Sequence, residues 1–517
     1  MKTLKALPLL AVFILFAFSA TAAVSYVDLN STNPTPPYAD WSTAATNIQD
    51  AIDAASIGDL ILVTNGVYNT GGTLAEDGNN SRVSVTKSVT LQSVNGAVLT
   101  KIDGGNVMRC VYLTNGAALT GFTLMNGSTA GNGGGLLCSS SGAFVSDCSI
   151  INNTSYAGNG GGGGAWGGSL SNSVITGNSC PSANGGGANN CTLNSCIISN
   201  NSAPTLYGRG GGTFNCNLNF CRVLNNYSSS GGGVAGGVLK NCIIANNGAS
   251  DGGGVFGGYG FIGLTYISAT LYNCVIVGNY VSDGRGDGAG GGVYGVGGWA
   301  TLYNCIIYYN YQKLTPGQSS NNYGNPTYYC CSPGAPGLMG ITGDPLFVNR
   351  SAGDFHLQAN SRCINSGNIS YDSGTNDLDG NPRIIGGTVD IGAYEYQTPA
   401  SMLSYSWAQQ YGLPTDGSAD NADADGDGMN NWQEWKSGTN PTNALSLLKI
   451  NSVSNSIASA KVTWQSVANV TYFLQRSTDL SAFTSLHSNI VGQAGSTSYT
   501  DTTATDSGSY FYRVGVQ

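Results

Sequence analysis

The chain has 517 residues, 77 of them glycine, about twice the ordinary share. Only 9% are charged and the net charge is −9, so there is no basic footprint for nucleic acid, and a hydrophobic content of 41% argues against disorder. Two histidines, His356 and His487, leave little for His-rich metal sites or Ser-His-Asp catalysis.

The first element in chain order is a targeting segment. Lys2 and Lys5 precede the apolar run Leu7 to Phe18, and Ala20-Thr21-Ala22 supplies a small-residue cleavage site. Residues 1–23 read as a secretory signal peptide. No later stretch is apolar for long enough to span a membrane, so no transmembrane segment is expected in the mature chain.

Next, Trp41 to Ala55 places Ile48, Ala51, Ile52 and Ala55 on one helical face. It leads into the strand Asp59-Leu-Ile-Leu-Val63 and Gly66-Val-Tyr68. From about residue 120 to 310 a unit repeats: a glycine triplet, a short apolar strand, a polar break, then a C-I-I-like strand closed by Asn. The second part begins at Cys148, Ser173, Cys196, Cys221, Cys242, Cys274 and Cys305 and ends at Asn153, Asn178, Asn201, Asn226, Asn247, Asn279 and Asn310. Gly121 to Asn126 is an earlier copy. The intervals are 25, 23, 25, 21, 32 and 31 residues, the signature of a β-solenoid, with loops inserted at about 257–268 and 280–289. Stacked copies put Cys in an inward column of small hydrophobes. They put Asn at a turn, where it tolerates left-handed backbone and stacks its amide on the next copy.

This repeat resembles the right-handed parallel β-helix of secreted bacterial proteins, the pectate-lyase-like superfamily. Its glycine-plus-Asn pairing is similar to the repeats of polymorphic outer-membrane proteins. Residues 24–70 resemble the N-terminal cap of those β-helices. Asp344-Pro-Leu-Phe-Val348, Gly353-Asp-Phe-His-Leu357, Ser361 to Gly367, Asp379-Gly-Asn-Pro-Arg383 and Asp390 to Tyr396 resemble the choice-of-anchor Q segment. The resemblance implies an all-β fold, a right-handed parallel β-helix over 24–397. Its repeats occupy about 80–330 and its C-terminal cap 340–397. It also implies secretion or display on a bacterial surface, the outer membrane included.

Asp423 to Glu434 matches a twelve-residue calcium loop. Asp423, Asp425 and Asp427 stand at positions 1, 3 and 5, Gly428 at the sharp turn, the Met429 carbonyl at 7, Asn431 at 9 and Glu434 at 12. The motif resembles dockerin-like and thrombospondin type 3-like loops. One loop rather than two favours a Ca²⁺-binding spacer over 398–445. Residues 446–517 alternate in short strands, with Trp464, Tyr510 and Tyr512 resembling fibronectin type III core positions, which gives a small C-terminal β-sandwich. No membrane-spanning tail follows, and anchoring by that route is not expected.

The 14 cysteines read mainly as buried free thiols, with Cys330 or Cys331 to Cys363 as the best disulfide pairing. For catalysis, the residue before each glycine triplet forms a polar column: Asn132, Asn159, Asn184, Arg209, Ser230, Asp251 and, near it, Asp287. Asp251 and Asp287 fall one rung apart, and Asp283 and Arg285 share the inserted loop with Asp287. Tyr303, Tyr308, Tyr309 and Tyr311 offer sugar-stacking faces. Against this, Asp-Gly is ordinary turn chemistry and the stretch is poor in charge. The leading expectation is a secreted or surface-displayed protein for adhesion or glycan binding without catalysis. The alternative is a polysaccharide lyase or glycoside hydrolase using Arg209, Asp251, Asp283, Arg285 and Asp287.

Overall fold

The computed structural model describes residues 22–517 except 159, 260–265, 283–289, 296, 315–319, 335–336, 372–373, 457–458 and 506–507. The signal-peptide reading therefore lies almost wholly outside the described residues.

The repeat coils into a parallel β-helix. A first sheet of 12 strands runs from Val24–Val27 to Thr327–Tyr328, and a second of 10 from Gly66–Tyr68 to Ile306–Tyr308. A third of 11 runs from Thr73–Leu74 to Asn322–Tyr323, and a narrow fourth of five from Ser202–Ala203 to Tyr311–Gln312. Rungs pair in parallel register, as in Ile150↔Ile175↔Ile198↔Val223↔Ile244↔Ile276↔Ile307. That column is fully buried. Strand alternation puts every second residue inside, so each three-residue strand gives the core one side chain, and stacking makes the core continuous. The class expected from sequence is the one observed: an all-β solenoid followed by a small antiparallel sandwich.

The Asn that closes each copy does more than make a turn. The left-handed position is the residue before it: Asn152, Asn200, Asn225 and Asn246 have φ between 55° and 57°. The closing Asn points inward. Asn201 Oδ1 accepts both the main-chain N–H and the Nδ2 of Asn178, at 2.9 and 3.0 Å, while Asn201 Nδ2 donates to Ile175 O and Asn226 Oδ1. The pattern runs through Asn153, Asn178, Asn201, Asn226, Asn247, Asn279 and Asn310 and ends on Asn321. The glycine triplets make room for it. A Cβ on Gly212 would sit 3.0 Å from Asn226 Nδ2 and against the Gly233 carbonyl.

The cysteine column is also more than filler. Cys221 N–H donates to Cys242 Sγ and Cys305 N–H to Cys330 Sγ, each at 3.4 Å. Ser173 serves Cys148 N–H in the same way at 3.1 Å, which explains its place in the column. All 14 cysteines are buried free thiols. The expected Cys330 or Cys331 to Cys363 disulfide is not formed. Cys330 is turned inward beneath Cys305, and Cys331 lies against Cys363 as a free thiol, its Sγ donating to Gly343 O at 3.2 Å. Burial pushes the Cys110, Cys138 and Cys148 thiols up to about 12, so they are inert.

The start of the solenoid is covered by α1 (Ile48–Ala54), capped by Asn47 accepting from Asp50 N–H, with Ile48, Ala51 and Ile52 buried. At the other end the outer face of the second sheet turns apolar over its last rungs: Ile243, Ala245, Val275, Val277 and Ile306. The chain folds back over it as a flap, burying Phe347, Phe355, Leu357, Ile364, Ile391 and Tyr394 there. The expectation that this segment simply closes the end therefore gives way to one that includes a lateral cover. The flap is tied by buried carboxylates. Asp390 accepts from Asn365 and Tyr396 N–H, and Glu395 from Ile385 and Asp390 N–H. Arg383 donates to Asp390 O and Gly392 O.

α2 (Tyr405–Gln410) and α3 (Asn431–Ser437) follow. Two three-stranded antiparallel sheets then enclose Val462, Trp464, Tyr472 and Leu474.

Removing one Asn from the ladder orphans donors and acceptors on both neighbouring rungs. Asn201→Ala should cost about 3–5 kcal/mol, read by denaturant unfolding. The flap makes a pH prediction. Burial raises the Asp390 and Glu395 carboxyls, Asp390 further raises Glu395 and Asp377 further raises Asp390, while main-chain N–H donors and Arg383 pull them back. The native flap thus keeps protons that the unfolded chain releases above about pH 4. Its stability should fall as pH rises from there through neutrality, seen as a falling thermal midpoint. Glu395→Gln should reduce that slope.

Candidate functional site

The calcium-loop residues come together as their spacing implies. The side-chain oxygens of Asp423, Asp425 and Asp427 lie within 4.8 Å of one another. Local hydrogen bonds shape the turn: Gly426 and Gly428 N–H donate to Asp423, Asp427 N–H to Asp425 and Met429 N–H to Asp427. What remains is a set of unmet acceptors. Asp425 Oδ2, Asp427 Oδ2, Asn431 Oδ1 and both Glu434 oxygens are buried without a hydrogen-bond partner. Asn431 and Glu434 are fully buried. Burial and the charges of Asp425, Asp427 and Asp423 raise the Glu434 carboxyl to about 7. Such a set is costly bare and is relieved by a hard cation taking oxygen ligands.

Three of the catalytic candidates, Asp283, Arg285 and Asp287, lie outside the described residues. Of the expected turn column, Asn159 lies outside the described residues and Gly161 is the bridge partner of Asn184, while Arg209↔Ser230 and Ser230↔Asp251 are bridge partners on successive rungs. Arg209 and Asp251 therefore stand two rungs apart, roughly 10 Å, with Ser230 between.

The tyrosines proposed as sugar platforms are engaged with neighbours. Tyr303 stacks between Tyr272 and Tyr328 at 5.1 Å each, with Tyr371 at 4.4 Å. Tyr311 stacks on Tyr280. Tyr308 and Tyr309 pack edge to face, and Arg350 lies over Tyr309 at 4.1 Å.

A different surface has the open rings. On the third sheet the outward residues are in register as Tyr112↔Leu137↔Trp166↔Asn189↔Phe214↔Ala235↔Phe256↔Tyr294↔Tyr323. Ala75, on the loop before Asn80–Val85, covers Tyr112 and Leu137. Ile267, in the insertion after Phe256, covers Ala235 and Phe256. Phe256, Tyr294 and Tyr323 stack on one another at 5.4 and 5.5 Å. Between these two roofs Trp166 packs against the first cluster and Phe214 against the second; both stay partly exposed, and neither has a stacked ring partner among the described residues. Asn189 lies between them, 2% exposed; its Nδ2 donates to Gly160 O at 3.1 Å and its Oδ1 has no partner. One rim is the glycine turn with Asn184 and Arg209. The other is the exposed pair Asn190 and Asn215, joined at 2.6 Å. Sequence reading missed this window, although its signal is present: it is the second residue after each glycine triplet.

The flap carries one more polar group. His356 is held between Asp354 (2.6 Å) and Asp379 (2.7 Å) and stacks on Tyr394 at 3.9 Å. Burial lowers the imidazole, but the two carboxylates outweigh it and raise it above its usual value. Arg222 of the second sheet donates to the Tyr394 hydroxyl at 3.0 Å, which fastens flap to solenoid.

No protein-family profile matches the chain, and no curated protein matches it by sequence. Among solved structures it is similar to the Azotobacter vinelandii mannuronan C-5 epimerase AlgE4 A-module, at 12% identity and a TM-score of 0.32, covering 59% of this chain and 94% of that one. It is similar to the rice weevil pectin methyl esterase, at 10% identity and 0.25, covering 55% and 85%. It is also similar to the tailspike protein gp49 of Acinetobacter baumannii bacteriophage Fri1, a capsular polysaccharide depolymerase, at 10% identity and 0.26, covering 96% and 84%.

The loop geometry generates a direct test. Calcium added to chelator-treated protein should raise the thermal midpoint of the 398–445 segment. Glu434→Gln should weaken calcium binding by an order of magnitude or more, because it removes one charge from the ligand set. Isothermal titration checks it.

Proposed function

We propose that this chain is a secreted or surface-displayed solenoid that binds a glycan along the outer face of its third sheet without turning it over. The observation that carries the reading is the window over Trp166, Asn189 and Phe214. Two aromatic rings about 10 Å apart, framed by asparagines and roofed at either end, suit an extended sugar chain. Apolar ring faces stack on sugar C–H surfaces, and amides meet the hydroxyls. Among the described residues, Arg209 and Asp251 stand two rungs apart and form no acid–base pair beside it. The calcium loop belongs to the same reading. Its α3 reaches the flap, where Lys436 donates to Gly387 O. Met429 Sδ accepts from Leu448 N–H at the start of the sandwich. A bound Ca²⁺, held by Asp423, Asp425, Asp427, Met429, Asn431 and Glu434, would stiffen that joint.

The test is retention of the mature chain on a panel of immobilised polysaccharides, with product release followed in parallel. Retention without new reducing ends or unsaturated products is expected. Phe214→Ala and Trp166→Ala should each weaken retention about tenfold, in line with the worth of a stacked ring. Turnover of any panel member, or retention unchanged in both variants, would overturn the reading.

A further inference from the structure

The third-sheet window has one feature that a neutral sugar does not use. Arg209 belongs to the rung of Phe214, and the turn between them is tight: a Cβ on Gly210 would meet the Thr213 carbonyl and Phe214 N. The turn column borders the aromatic column directly, since Asn189 reaches across to Gly160 O at 3.1 Å. Main-chain bonds hold Arg209 in place. Its N–H donates to Asn184 Oδ1 at 3.1 Å, and its carbonyl accepts from Gly185 N–H. The guanidinium is partly buried, yet no carboxylate pairs with it among the described residues. The other arginines of the described solenoid each have a hydrogen-bond partner for the guanidinium, a carboxylate in one case only. Arg109 pairs with Asp77 at 2.6 Å, Arg82 donates to Asp103 O, and Arg222 holds Tyr394. A partly desolvated cation without a partner is unfavourable unless something supplies the anion.

Building on the glycan reading of this face, we propose that the window is an acidic-sugar subsite, in which Arg209 pairs with the carboxylate or ester sulfate of a sugar stacked against Phe214. A planar guanidinium meets either anion through two parallel N–H donors, which a lysine cannot reproduce. Asn189 lies buried in the floor between the two rings, and the exposed amides of Asn190 and Asn215 on the rim are placed for the sugar hydroxyls. The roofs over Leu137 and Ala235 limit the subsite to two or three sugars at the rung spacing.

The experiment measures affinity of the full mature chain for three soluble polysaccharides: a polyuronate, a sulfated galactan and a neutral glucan. Wild type, Arg209→Gln, Arg209→Lys and Phe214→Ala are compared, each first checked for an unchanged thermal midpoint. The expected result is preference for one of the acidic polymers over the glucan, weakened by added salt. It includes a loss of tenfold or more in Arg209→Gln and only partial rescue in Arg209→Lys. Which acidic polymer responds decides between carboxylate and sulfate. Equal affinity of Arg209→Gln and wild type for an acidic polymer would overturn the subsite. So would binding to the glucan alone, although that outcome leaves glycan binding standing. Binding to none of the three, with none on the wider panel, would remove both.

Discussion

The buried asparagine ladder is the constraint on which the rest of this solenoid depends. Each Oδ1 takes two donors from the rung before it, and each Nδ2 returns one bond to that rung's main chain. The amide thus satisfies main-chain groups that a turn would otherwise leave unpaired inside the core. It also fixes register, because a slipped rung would lose all three bonds at once. The glycine triplets follow from it. The amide fills the space that a Cβ at the third glycine would need, so glycine and asparagine are two halves of one packing solution. The cysteine column repeats the idea more weakly on another wall, with Sγ or the Ser173 hydroxyl accepting the N–H of the rung before.

An interior built this way has little use for charge, and the chain places its charges accordingly. In the early rungs Arg109 is fully buried but paired with Asp77. At the far end the flap gathers Asp377, Asp390, Glu395 and Arg383 under cover, and their main-chain hydrogen bonds set its shape. Between them the solenoid wall carries amides, hydroxyls and rings. That distribution makes Arg209 stand out. It is a half-covered cation on a wall poor in charge, two rungs from Asp251 in the same turn column and beside an aromatic window.

The periodic parts of this structure were legible in the sequence, and the parts set by non-local covering were not. Cys148 to Asn153 and its copies gave the strand, the turn and the inward face, because these depend on neighbours one repeat away. The amphipathic face of Ile48, Ala51 and Ile52 announced the first helix, and Asp423 to Glu434 announced the clustered acids. Two local assignments needed refinement. The left-handed turn belongs to Asn152 and its equivalents, not to the closing Asn, and the thiols accept hydrogen bonds as well as filling space. The flap was invisible as a lateral cover because its partners, Ile243, Val275 and Ile306, lie two or more repeats earlier in the chain and read as ordinary strand. The window escaped for the opposite reason. Trp166 and Phe214 sit in the repeat, but attention to charged turn residues passed over the neutral position that faces outward.

Aromatic content alone does not make a solenoid wall a binding surface. Rungs are about 4.8 Å apart, close to the separation of stacked rings, so aromatics on successive rungs stack on each other. That is the condition of Tyr272, Tyr303 and Tyr328, and of Phe256, Tyr294 and Tyr323. Such ladders stabilise the wall and use up their own faces. A ring keeps a free face only where a neighbour on an adjacent rung is small or polar, as Asn189 and Ala235 are for Phe214 and Asn189 is for Trp166. An isolated ring contributes less to the stability of the fold than a stacked one and more to a ligand. The interruption of the column at Asn189 and Ala235, rather than the count of aromatics, is therefore what marks the functional stretch of this solenoid.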